Sequence, residues 1–204
     1  MSPDGKRSPG CLIVFAAPSG AGKTTIIHQV MQRVEGLTFS VSSTTRARKE
    51  GEVDGVDYNF LGEEEFDTAL KAGDFLEHEI VHGKLYGTRI SKIQPLLDEG
   101  KDVVFDLDVL GALNVKRLFP QALLIYIEVL STEILRDRLR KRGRENDAEI
   151  DLRLKRYEME RSKAQQFDRV VINDDLECAV QEIVDVIERF RSGEHAASTR
   201  GGRP

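Results

Sequence analysis

Near the amino terminus an unbroken apolar run, 11–17, leads into Pro18-Ser19-Gly20-Ala21-Gly22-Lys23-Thr24. Apolar residues then recur at Ile26, Ile27, Val30, Met31 and Val34. A continuous apolar run of strand length reads as a strand buried on both faces, and the spacing after it as one face of a helix. The turn between them carries two closely spaced glycines, a lysine and a threonine. This is the P-loop pattern, with Ala17 in the place of its first glycine. Gly20 and Gly22 let backbone N–H groups turn inward around phosphate oxygens with no Cβ in the way. The helix that follows presents its positive end to the same oxygens. Lys23 can bridge the β- and γ-phosphates of a nucleotide, and the Thr24 hydroxyl can bind Mg²⁺.

Further apolar runs follow at 103–107 and 123–129, with a weaker one at 169–172, and helical patterns alternate with them. That order predicts an α/β fold: a P-loop parallel-sheet core flanked by helices. With 204 residues the chain suits one domain, long enough to bury a core without disulfides. At 40% hydrophobic residues and net charge −5 it is neither disordered nor suited to non-specific nucleic-acid binding. Its two cysteines, Cys11 and Cys178, form neither a disulfide framework nor a zinc cluster and read as reduced residues. No apolar run approaches the roughly 20 residues that cross a bilayer. Lys6 and Arg7 before the first apolar run faintly resemble a secretion signal, but cleavage after Ala17 would sever the loop, so a cytoplasmic location is expected.

Two stretches interrupt the rhythm. From about 38 to 89 the chain is polar and glycine-punctuated, with strand-like pieces at 39–42 and 58–60 around a helix at 63–72. Glu63, Glu64 and Glu65 favour the start of that helix, Phe66, Ala69 and Leu70 form its apolar face, and Gly73 can stop it. The stretch 131–156 is helical and strongly basic around a narrow stripe made by Leu135 and Leu139. Both read as insertions on the core: a small mixed α+β insertion and a helical lid. Pro95 inside the pattern Ile90, Ile93, Leu97 predicts a helix that kinks or starts late. A last helix at 176–190 packs through Val180, Ile183, Val184 and Ile187. Residues 1–9 and 191–204 read as flexible tails.

The run 103–105 ends in Asp106, a carboxylate placed to hold Mg²⁺ directly or through water, or a plain turn residue. The loop and Asp106 alone fit any enzyme using ATP or GTP.

The polar insertion narrows this. Ser42-Ser43-Thr44-Thr45-Arg46-Ala47-Arg48-Lys49-Glu50-Gly51-Glu52, Asp57-Tyr58-Asn59-Phe60, Phe75-Leu76-Glu77-His78 and Tyr86-Gly87-Thr88 occur in that order. Asp106-Leu107-Asp108 with Gly111, and Val171-Ile172-Asn173-Asp174-Asp175, follow. Together with the loop, this series resembles the guanylate kinase family over about residues 11–190.

The resemblance implies a division of labour. Ser19, Gly20, Ala21, Gly22, Lys23, Thr24 and Thr25 would hold ATP, with Asn173 touching its adenine and Mg²⁺ between Thr24 and Asp106. Arg46, a second basic group of its loop, Tyr58 and Tyr86 would hold the phosphate of GMP; Ser42, Glu77, Thr88 and Asp108 would surround the guanine. Arg138, Arg142 and Arg153 would close over the triphosphate, and Lys23, Arg46, Arg142 and Arg153 would stabilise the transfer state. Guanidinium and phenol groups suit a phosphate dianion. A carboxylate such as Glu77 accepts from guanine N1–H and its amino group, and is repelled by the N1 lone pair of adenine. The family's second loop arginine falls on Lys49, while Arg48 takes a usual proline position; either can serve. Leu110, Leu85 and Glu79 also depart from the family pattern.

The expected organisation is one domain over 10–190, with core segments 10–37, 90–130 and 157–190, a GMP-binding insertion 38–89 and a lid 131–156. The expected reaction is phosphorylation of GMP and dGMP by ATP with Mg²⁺, in purine nucleotide metabolism, by a monomer or small homo-oligomer that binds neither nucleic acid nor membrane. An inactive guanylate-kinase-like binding module and a small-molecule kinase such as a ribose bisphosphate kinase are the alternatives.

Overall fold

In the computed structural model, which describes residues 9–81, 83–143 and 146–194, the apolar runs become strands. In chain order the strands are β1 (Leu12–Ala16), β2 (Leu37–Phe39), β3 (Ser43–Thr44), β4 (Asn59–Phe60), β5 (Phe75–Val81), β6 (Lys84–Arg89), β7 (Asp102–Leu107), β8 (Leu123–Glu128) and β9 (Arg169–Ile172). The helices are α1 (Lys23–Arg33), α2 (Glu63–Lys71), α3 (Ile90–Asp98), α4 (Val109–Leu118), α5 (Thr132–Arg142), α6 (Asp147–Ser162) and α7 (Leu176–Arg191). The terminal tails expected from the sequence lie outside the described residues, apart from Pro9 and 191–194.

Five strands form a parallel sheet in the order β2-β7-β1-β8-β9. Thr38 pairs with Val103 at one edge and Tyr126 with Val170 at the other. β1 is buried along its whole length, as its unbroken apolar sequence requires. Fully burying residues such as Val14 and Phe15 contributes about 1.5–3 kcal/mol each. The order turns back at β1, and in open parallel sheets ligands bind beyond the carboxyl ends of the strands at such a point. The loop after β1 is the glycine-rich one.

By contact the chain forms two compact units. One comprises residues up to Ile13, Gly36–Phe105 and Asn114–Ala122. It holds a second sheet, ordered β4-β3-β6-β5. Its β5–β6 hairpin is antiparallel, while β3 and β4 pair parallel. Phe66 of α2 is buried and stacks on Phe75 with ring centroids 4.2 Å apart. The hairpin was not foreseen as strands, since Glu77, His78 and Glu79 interrupt any simple alternation. Pro95 lies inside α3, which begins at Ile90 rather than late. The proline costs this short helix only the bond that its absent N–H would have made to the Ser91 carbonyl.

The other unit comprises Val14–Glu35, Asp106–Leu113 and the chain from Leu123 onward. Here α1 packs on α7, and Arg33 donates through both terminal nitrogens to Glu177 at 2.6 Å. Asp175 caps α7 by accepting from Cys178 N, and Asn146 with Glu149 forms a capping box at the start of α6. The Leu135–Leu139 stripe of α5 is buried, as are Ile150, Leu154 and Tyr157 of α6.

Candidate active site

Residues 17–22 turn the chain from β1 into α1, and two of them hold backbone angles that a side chain rarely adopts. Gly20 has φ +92° and Gly22 φ +88°. A Cβ on Gly22 would also lie 2.7 Å from the Asn173 amide nitrogen. That amide donates to the Ala21 carbonyl at 2.7 Å, so Asn173, buried just beyond β9, braces the loop. Gly20 lies under Leu135 and Leu139, whose methyl groups would be 3.2 Å from a Cβ there. Gly22 caps α1 without a side-chain hydrogen bond. The first N–H groups of the helix therefore suit an anion.

Lys23 reaches across to the end of β7, where it donates to the Leu107 carbonyl at 2.9 Å and forms an ion pair with Asp106. Beside the loop opens a cleft of about 740 Å³. Ser19, Thr24 and Thr25 line it from the loop side, Asn173 from β9, and Arg138 and Arg153 from α5 and α6. Arg138 is anchored by donating to the Asn173 carbonyl at 3.1 Å. Arg142 ends α5, and its side chain lies outside the described residues. Arg136 and Arg140 pair instead with Asp151 and Asp147 between the two helices, in keeping with surface roles.

Asp108 belongs to this unit and lines the cleft. One carboxylate oxygen accepts from Gly111 N at 2.7 Å, capping α4, and the other accepts from Arg156 at 3.2 Å. Arg156 is a cleft residue to which the sequence assigns no role. Its only sequence signal is its place three residues after Arg153, on the same helix face.

The Thr24 hydroxyl and the Asp106 carboxylate are hard oxygen donors, both exposed. Mg²⁺ takes few protein ligands, keeping water and phosphate oxygens for the rest of its shell. The set fits such an ion, provided Asp106 shares its charge with Lys23. No cluster of three or more histidine, cysteine or acidic residues able to hold a metal exists among the described residues.

The expected phosphate-binding groups of the other unit come together. The Arg46 guanidinium lies 5.2 Å from the Tyr58 ring centroid and 5.6 Å from that of Phe60, and the Tyr58 and Tyr86 rings meet edge-on at 5.9 Å. Arg46 donates to both oxygens of Glu52, at 2.7 and 3.0 Å. Glu52 also accepts from the backbone N–H of Lys49 at 2.7 Å. The Arg46 bonds, then the Lys49 N–H, hold the Glu52 carboxyl at about 2, and the same ion pair raises Arg46. Sequence reading gave Glu52 no role; its spacing of six from Arg46 carried no signal outside a folded loop. Arg48 and Lys49 are both exposed.

Of the expected guanine readers, Glu77 and Thr88 are register partners on β5 and β6, and the buried Thr88 hydroxyl donates to Glu77 at 2.7 Å. Ser42, just before β3, is half-buried and accepts from Asn59 N through its carbonyl. Asp108 sits in the phosphate-loop unit rather than with these three.

The family model described as guanylate kinase matches residues 10–190. The chain belongs to the guanylate kinase family. Curated guanylate kinases from Chlorobium chlorochromatii and Chlorobium luteolum are 48% and 45% identical to it. These alignments cover 89% and 90% of this chain, and 96% and 93% of theirs. One from Thermotoga maritima is 44% identical over 90% of this chain and 88% of its own. The crystal structure of guanylate kinase from Anaplasma phagocytophilum superposes with a TM-score of 0.67 at 28% identity, covering 95% of this chain and 90% of that one. As a guanylate kinase family enzyme the chain is a nucleotide-binding kinase, a transferase. The parallel sheet and flanking helices foreseen from sequence are those of the family. No helix among the described residues is long and apolar enough to cross a membrane.

Proposed function

We propose that this chain transfers the γ-phosphoryl group of ATP to the phosphate of GMP and dGMP, releasing ADP and GDP or dGDP, with Mg²⁺. The observation that carries this reading is the pairing, within one unit, of an Arg46–Tyr58–Tyr86 cluster with the Thr88-supported Glu77. One is a phosphate site, the other a carboxylate aimed for a guanine edge. Thr88 holds one Glu77 oxygen in place, and a carboxylate is an acceptor group of the kind that N1–H and the 2-amino group require. AMP, with a lone pair at N1, would face an anion without a donor. The assigned groups address base and phosphate, none the ribose, so dGMP is included. Ser42 completes the base set within that unit, and Lys49 adds charge at the acceptor phosphate; a base contact from Asp108 is implied by the family resemblance alone.

The donor site is the glycine-rich loop with its cleft. Backbone N–H groups of Gly20 to Thr25 cradle the phosphates, and Lys23 swings from Asp106 to the β- and γ-oxygens. Thr24 and Asp106 would hold Mg²⁺, which when bound neutralises charge on the β- and γ-phosphates. Arg138, Arg142 and Arg153 on the lid 131–156 and Arg46 on the insertion 38–89 offset the charge of the in-line transfer state, and closure excludes water. No covalent enzyme intermediate is needed; positioning and charge carry the rate. The reading includes a cytoplasmic enzyme of purine nucleotide metabolism, a monomer or small homo-oligomer that binds neither nucleic acid nor membrane.

A coupled ADP-release assay with ATP and GMP, dGMP, AMP, UMP or ribose bisphosphate tests it. Turnover of GMP and dGMP with little of the others is expected. Tight GMP binding without turnover would instead mark an inactive binding module, and turnover of ribose bisphosphate the small-molecule kinase.

A further inference from the structure

Arg156 lines the donor cleft, and the proposed reaction gives it no role. Lys23, Arg138, Arg153 and Arg156 are the cations that line it among the described residues. Three carboxylates line it as well, and two of these, Asp108 and Glu160, are the ion-pair partners of Arg156. Without Arg156 both carboxylates would lose this ion-pair partner in the cleft that a polyphosphate enters.

The two partners hold the guanidinium differently. Glu160 sits one turn further along α6 and has a side chain only 10% exposed; it accepts from Nε at 2.7 Å. Asp108 is 43% exposed and accepts from Nη2 at 3.2 Å, while its other oxygen is committed to the cap of α4. The first contact is short, shielded and within one helix; the second is long and open to water, and such an exposed pair is weak and easily replaced. Arginine suits this arrangement because its planar fork can keep one edge on a carboxylate and turn the other to phosphate oxygens.

We propose that Arg156 is a further donor-phosphate residue of the reaction, kept aimed by Glu160 and exchanging Asp108 for the phosphates of ATP. A polyphosphate of several charges outcompetes one exposed carboxylate for the outer edge of the guanidinium. The proposal rests on the reading of the cleft as the ATP site.

Equilibrium binding of AMP, ADP and ATP to the full chain, as wild type, Arg156→Gln and Arg156→Lys, tests it, with thermal melting as a check on folding. Arg156→Gln is expected to weaken ATP by about tenfold or more, the loss of one charge-assisted contact, and AMP much less. The salt dependence of ATP binding should flatten, and Arg156→Lys should recover part of the affinity. Unchanged ATP affinity in Arg156→Gln, or equal weakening of AMP and ATP, overturns the proposal alone. A wild-type chain that binds none of the three overturns the donor-site reading and this proposal with it.

Discussion

The side-chain amide of Asn173 donates to the carbonyl of Ala21 at 2.7 Å, tying the end of β9 to the phosphate loop across 152 residues of sequence. The same residue's carbonyl accepts from Arg138. One buried asparagine therefore fixes both the loop and an arginine of α5.

Asn173→Ala leaves the Ala21 carbonyl without that partner in a buried setting, a loss of about 1–3 kcal/mol. In a chain of this size each kcal/mol lowers the melting temperature by about 2–4 °C. Differential scanning calorimetry should show the drop, and the KM for ATP should rise with it. A variant with normal melting and only weaker ATP binding would mean that the amide serves the ligand rather than the loop.

Lys23→Ala removes the cation that pairs with Asp106 at the head of α1. The turnover number should fall at least about 100-fold, as for loss of one group that stabilises developing charge. Circular dichroism should be unchanged. A variant that retains turnover would remove the loop from the chemistry.

Glu77→Gln keeps the shape and the Thr88 contact but puts a donor where guanine needs an acceptor. The ratio of kcat/KM for GMP over AMP, which such a site can raise to roughly 10⁴–10⁵, should collapse toward that of a site without base discrimination. Parallel kinetics on the two nucleotides measure it. An unchanged ratio would place the base elsewhere.

Glu52 carries a pH signature. Its folded value of about 2 lies below the ordinary 4.5, so its pairing with Arg46 stabilises the fold above 4.5 and is lost as pH falls from there toward 2. Thermal melts across that range should show wild type converging on Glu52→Gln from above. At neutral pH the variant should also raise the KM for GMP, because Arg46 loses its bidentate anchor. Parallel melting curves at all pH values would deny the pair any role in stability.

The core was legible because its strands are buried on both faces: 12–16 and 123–128 leave no alternation to misread. The phosphate loop was legible because its glycines answer to backbone angles rather than to packing. The β5–β6 hairpin was not, since its strands carry charges on a half-exposed surface and draw their order from pairing partners. Among the candidate site residues, Glu77, Thr88, Arg46 and Tyr58 were singled out by their sequential order. Glu52 and Arg156 escaped because their significance is the company they keep in space: a guanidinium six residues away, and a carboxylate 48 residues away. Asn173, expected at the adenine, also bonds the loop through its side-chain amide, which no local pattern could reveal.

Leu135 and Leu139 lie over Gly20 from a helix otherwise rich in charge. The shape of the loop is thus gauged by two hydrocarbon side chains that are not among the residues lining the cleft. A methyl group trimmed or added there would be read out as altered nucleotide affinity. Inherited or engineered changes in this greasy stripe would accordingly mimic lesions of the binding site itself, while every polar group in the cleft stayed intact.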